Sequence, residues 1–223
     1  MRLFIFLFGL ALGAGSAGAQ EFVQTEGALS DEAFYRLVSC AAPPKEDCQK
    51  PSVRWDVSHP VRVSIRQMDA AYLGGKKIRA TAALARALQE LNRAEVGLTL
   101  VEVPAGDTAE IELFFLDLER GEPIAGTGIK GVDGSRLGGA STRILFDANT
   151  NTIKRVAVVF STTLQIRAYE SVMLEELSQA LGLMTDIRNP YYDERSIFSQ
   201  DSNARKTLGA QDILALRHHY AKD

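Results

Sequence analysis

Residues 174–183, Leu-Glu-Glu-Leu-Ser-Gln-Ala-Leu-Gly-Leu, constrain the fold more than any other stretch. As a helix they put Met173, Leu177, Ala180, Leu181 and Met184 on one apolar face. Val172, Glu175, Gln179 and Gly182 fall on a second face. Side chains one helical turn apart meet, so Glu175 and Gln179 are neighbours, with Glu176 beside them. Gly182 is a natural stop, because glycine accepts the left-handed backbone that ends a helix. A helix with one apolar and one acidic face packs on a core and turns its polar side to solvent or a cleft.

The flanking segments supply that core. With 223 residues, 46% of them hydrophobic, the chain suffices for one domain of ordinary size plus short extras. Residues 30–38 read as a short helix, capped by Ser30 and buried through Phe34, Leu37 and Val38. Residues 61–66 alternate apolar and polar, as a half-buried strand does. Residues 78–96 form a long helix with Ala80, Leu84, Ala87, Leu88 and Leu91 as its stripe, a possible Arg86–Glu90 pair on its wet side and Gly97 as its stop. Strands are expected at 98–103 and 110–116, and a strand pair at 143–146 and 155–160 around Asn149-Thr150-Asn151. Residues 20–27 are expected to be a flexible terminus and 121–139 a flexible, glycine-rich loop able to rim a groove. Within that loop, Gly126-Thr127-Gly128-Ile129-Lys130-Gly131 has the glycine spacing of a dinucleotide loop but no helical stripe after it, which argues against nucleotide binding.

Two downstream motifs complete a pattern. Ser196-Ile197-Phe198 follows the central helix, and residues 208–220 run Leu-Gly-Ala-Gln-Asp-Ile-Leu-Ala-Leu-Arg-His-His-Tyr. Together with Glu-Glu-Leu-Ser-Gln-Ala-Leu-Gly-Leu they resemble the metzincin zinc proteases, whose helix reads His-Glu-x-x-His-x-x-Gly-x-x-His. In that frame Glu175, Gln179 and Thr185 stand at the three histidine positions, Glu176 at the general base, Gly182 at the glycine and Phe198 at the Met-turn methionine. The set also resembles a family of exported bacterial proteins of unknown function that carry Glu-Glu-(Leu/Val)-x-Gln-Ala-Leu-Gly-Leu and Ser-Ile-Phe. The resemblance implies an α+β, zincin-like domain: a mixed twisted sheet with a long helix, a central "active-site" helix and a C-terminal helix.

It also implies a site without its metal ligands. Zinc is held by imidazoles, thiolates or carboxylates, and a glutamine carbonyl is a weak ligand. Glu175, Glu176, Gln179, Thr185 and Asp186 therefore form a vestigial site, with no catalytic residue and no cofactor expected. The alternative cofactors are zinc and a harder cation such as calcium on Glu175, Glu176 and Asp186. The function implied is a non-catalytic binding domain for an unknown protein or peptide partner. The alternatives are a divergent metallohydrolase with Glu176 as general base, and a structural envelope protein.

Other candidates read blandly. His59, His218 and His219 suit surface or partly packed roles. Tyr191 and Tyr192 suit a loop packed over the central helix, with a recognition surface as the alternative. Net charge of -3 gives no case for nucleic acid. Cys40 and Cys48, the only cysteines, suit a disulfide closing a loop around Pro43-Pro44, worth roughly 2–3 kcal/mol.

Residues 1–19 read as a secretory signal: Met1-Arg2, an apolar run from 3 to 12, and Ala17-Gly18-Ala19 before Gln20. The run is too short to span a bilayer, so a periplasmic or secreted protein with no membrane span after cleavage is expected. The organisation expected is signal 1–19, an N-terminal extension with the disulfide over 20–54, and the zincin-like domain over 55–223. Intact mass of the exported protein should correspond to a chain beginning at Gln20; an unprocessed form retained in the membrane fraction would contradict this.

Overall fold

The computed structural model describes residues 22–221; the expected signal segment lies outside them. In chain order these residues form β1 (Phe22–Gln24), α1 (Asp31–Cys40), β2 (Val61–Met68), α2 (Gly75–Arg93), β3 (Leu100–Glu102) and β4 (Ile111–Leu116). After a long connection come β5 (Ala140–Asp147), β6 (Thr152–Ser161), α3 (Tyr169–Ala180), β7 (Asp186–Arg188) and α4 (Ala210–His219). The class is α+β.

Five strands form one mixed sheet in the order β3-β2-β4-β6-β5. β3, β2, β4 and β6 run parallel, and β5 closes one edge antiparallel to β6. Parallel neighbours need crossovers, which α2 supplies between β2 and β3, whereas antiparallel β5 and β6 need only the tight turn ending at Asn151, whose φ is 53°. On the helix face, Ile111, Leu113 and Phe115 of β4 join Val156, Val158 and Phe160 of β6 against α2 and α3 in the main core. The stripe of α2, from Ala80 to Leu91, is buried in that core as its spacing requires.

The opposite sheet face explains residues 117–139. Phe114, Leu116, Ala157 and Val159 would lie bare there, but Ile124, Ile129, Val132 and Leu137 bury themselves against them. The expected flexible loop is thus a folded cap. Its glycines supply the left-handed turns at 121, 126, 128, 131 and 134, and Asp133 holds the tip by accepting from Thr127 Oγ1 at 2.7 Å and from the Gly128 N–H at 3.0 Å. Farther along the same face, Glu112 is buried between Arg66 and Arg155, whose Nε atoms donate at 2.6 and 2.5 Å.

Several local expectations are corrected. The terminus before α1 is a strand: β1 pairs in parallel with β7, Val23 is buried, and the Arg188 guanidinium lies 3.7 Å from the Phe22 ring centroid. Arg86 bonds Glu170 of α3 at 2.5 Å rather than Glu90, whose carboxylate accepts from the Leu208 N–H at 3.1 Å. Tyr192 packs against Phe34 of α1, 5.3 Å between centroids, and its hydroxyl accepts from the Leu29 N–H, so it fastens the N-terminal segment instead of covering the central helix. Cys40 and Cys48 are joined in a disulfide, as expected.

The motif at the end of the chain has a definite task. Asp212, wholly buried in the first turn of α4, accepts from Ser196 Oγ at 2.6 Å, from the Ile197 N–H at 3.0 Å and from the Gly209 N–H at 2.6 Å. Burial pushes its carboxyl above the usual range, while the three donors pull it back. These bonds lock the Ser-Ile-Phe turn to α4 and seat Phe198 in the core. Asp212→Ala strands three buried donors and should cost about 3 kcal/mol, whereas Asp212→Asn keeps one acceptor oxygen and should cost less. Urea unfolding of the two variants checks the order.

Candidate functional site

A cleft of about 540 Å³ lies between α3 and the edge strand β5, with the cap at its rim. Its position depends on how α3 ends. The last carbonyls of a helix lack internal partners. Here the Trp55 indole N–H donates to Ala180 O at 2.9 Å and the Tyr220 hydroxyl to Leu181 O at 2.6 Å. Gly182 follows with φ of 103°, and a Cβ there would lie 2.0 Å from Val53 O and 2.6 Å from His219 Nε2. His219 is therefore a buried structural residue, not the surface or partly packed one expected. Its Nε2–H donates to Val53 O at 2.9 Å, Nδ1 lies 3.3 Å from the Tyr35 hydroxyl, and burial pulls its pKa down to about 4.

The polar side of α3 then faces β5. Glu175, Glu176 and Gln179 all line the cleft, and Asp186 joins them from β7. Gln179 Nε2 donates to Asp186 Oδ1 at 2.9 Å. Glu176 is nearly buried and accepts from the Thr142 hydroxyl of β5 at 2.6 Å; that hydroxyl also lies 3.1 Å from the Glu176 backbone oxygen. Burial, then the negative charges of Asp186 and Glu176, hold the Glu175 carboxyl well above the usual carboxylate range. Thr185 is elsewhere: it is fully buried, its N–H donates to Val38 O at 3.1 Å, and it is not among the cleft-lining residues.

This donor set does not fit zinc. Glu175 offers a carboxylate whose burial favours the protonated form, Gln179 turns its amide nitrogen to Asp186, and Thr185 lies in the core. Among the described residues no group of three or more His, Cys, Asp or Glu has the geometry to hold a metal ion. What the arrangement offers is a polar cleft with acidic residues along α3 and β7.

Sequence reasoning found Glu175, Glu176, Gln179 and Asp186 but missed the opposite wall. Thr142 and Arg143 of β5, Arg120 and Arg136 of the cap, and Lys50, two residues past Cys48, all line the cleft. So do Ser199, Gln200 and Asn203 after the Ser-Ile-Phe turn, and Gln200 Oε1 is buried there without a hydrogen-bond partner. None of these carried a signal in the sequence: the strand expected at 143–146 begins after Thr142, and nothing local sets that strand beside α3.

Fold and site thus define an α+β domain with a polar cleft beside a sheet edge. Residues 34–223 match the family described as a protein of unknown function, DUF2927, and the chain belongs to that family. No curated protein matches the chain.

Glu175 gives a pH-dependent signature. A carboxyl whose folded pKa exceeds its unfolded value binds more protons in the folded state, so stability falls as pH rises from about 4.5 through the raised value and then levels. Glu175→Gln should remove that fall. The variant should match wild type below the ordinary carboxylate range and be the more stable of the two at neutral pH, as measured by thermal unfolding across pH.

Proposed function

We propose that this domain is an exported, non-catalytic binding module on a metzincin-like frame, and that its cleft receives an extended peptide. The observation that carries the reading is the edge of β5. It is eight residues long and pairs only with β6 among the described residues, and residues 138–143 run along the cleft. The Ser161 N–H donates to Gly139 O, so by antiparallel alternation 141 and 143 bond β6 while the backbone groups of 140, 142 and 144 point outward. Such an edge can take up a further strand through main-chain bonds.

The metzincin-like ancestry is supported by element order: strand, helix, strands, central helix, turn, final helix. It is also supported by the work that the shared motif positions do. Gly182 fits beneath Val53, Phe198 fills the core, and Asp212 ties the turn. A lost metal site over a retained frame leaves a groove without hydrolysis. The Ala17-Gly18-Ala19 pattern and the Cys40–Cys48 disulfide support export to an oxidising compartment.

Fluorescence anisotropy with a library of labelled, extended peptides should find binders at micromolar concentration in the presence of a chelator, with every peptide recovered intact by mass spectrometry. Thr142→Pro removes an outward N–H and should abolish binding. Zinc-dependent cleavage would instead favour a metallohydrolase using Glu176, and no binding at all would favour a purely structural role.

A further inference from the structure

The two sides of β5 carry opposite charge. Ala140, Ile144 and Phe146 pack against the main core and Thr142 bonds Glu176, so even-numbered residues face α3. Leu145 packs against the second cluster, so Ser141 and Arg143 face the cap. The acidic residues lining the cleft all come from α3 and β7: Glu175, Glu176 and Asp186. The arginines lining it come from β5 and the cap: Arg143, Arg120 and Arg136. Lys50 enters from beside the disulfide and is the one cation outside that division.

A strand laid against β5 would continue the pleat. Its alternate side chains would point toward α3 on one side and toward the cap on the other. The first set would meet the carboxylates of Glu176 and Asp186, since Glu175 favours its protonated form, and the second would meet guanidiniums. Arg143 would face a cross-strand neighbour directly, and the other charges would act from α3, β7 and the cap; opposite charges attract and like charges repel, so both sides discriminate at once. A slip of one residue would invert every pair, which makes the pattern a device for register as well as selection.

We infer that the cleft selects an extended segment of a partner protein in which basic and acidic residues alternate, basic side chains toward α3 and acidic ones toward the cap. This rests on the peptide-binding reading above. It adds a charge code that an edge strand alone would not impose, because main-chain bonding is indifferent to sequence.

The test uses three labelled, end-capped heptapeptides and the mature protein. One alternates lysine and glutamate. The second has nearly the same composition with like charges in adjacent pairs. The third alternates threonine and valine. The alternating charged peptide should bind about tenfold more tightly than the paired-charge one, through several favourable cross-strand contacts. High salt should shrink that gap. Arg143→Glu, at a half-exposed position outside the core, should remove most of the preference, with circular dichroism checking that the variant folds. If all three peptides bind alike, or if Arg143→Glu leaves the preference intact, the charge code is wrong and the peptide-binding reading stands. If none binds, that reading falls and takes the charge code with it.

Discussion

The C-terminal end of α3 is where the molecule is held together. Two orphan carbonyls there are satisfied by an indole and a phenol brought from residues 55 and 220. The next residue must be glycine, since the Val53 backbone and the His219 ring leave no room for a Cβ. An uncapped buried carbonyl costs roughly 1–3 kcal/mol, so these contacts are worth more than their number suggests. They also fix direction. With its end clamped by the segment before β2 and by the last helix, α3 can present Glu175 and Gln179 only toward β5. The cleft is a consequence of that clamp.

Without imidazoles at its centre, the site faces an electrostatic problem. Three acidic residues line one wall, partly out of water, where unpaired charge is costly. The fold answers with ordinary chemistry. Thr142 donates to one carboxylate, Gln179 to another, and Glu175 is pushed toward its protonated form. Each answer depends on tertiary neighbours. Thr142 comes from a strand that the sequence gives no reason to set beside Glu176.

Much of the fold was legible because periodicity survives in sequence. The stripe of α2, the apolar side of α3, the Ser30 cap and the β5–β6 turn follow from local spacing. Contacts set by three-dimensional neighbours were not legible. Val23 looks like part of a frayed terminus until β7 is beside it, and the apolar residues of the cap look scattered until the bare face of β4 and β6 is known. His219 shows the same limit: nothing in His218-His219 says that one ring stacks on Tyr35 while the other is buried against Val53. Of the site, the acidic wall lay within one helical motif and its immediate sequel, whereas the basic wall is assembled from segments far apart in the chain.

The pairing of β1 with β7, and of α1 with α4, joins the first described residues to the last. Contacts between distant parts of a chain form late, because loop closure must precede them. Here the N-terminal strand and helix have no surface to settle on until the C-terminal third exists. A chain emerging from synthesis would carry its first elements unfinished, with Phe34, Leu37 and Val38 uncovered, until the end arrived. Until then that apolar face is open to misassociation, and closure by the last helix ends the exposure.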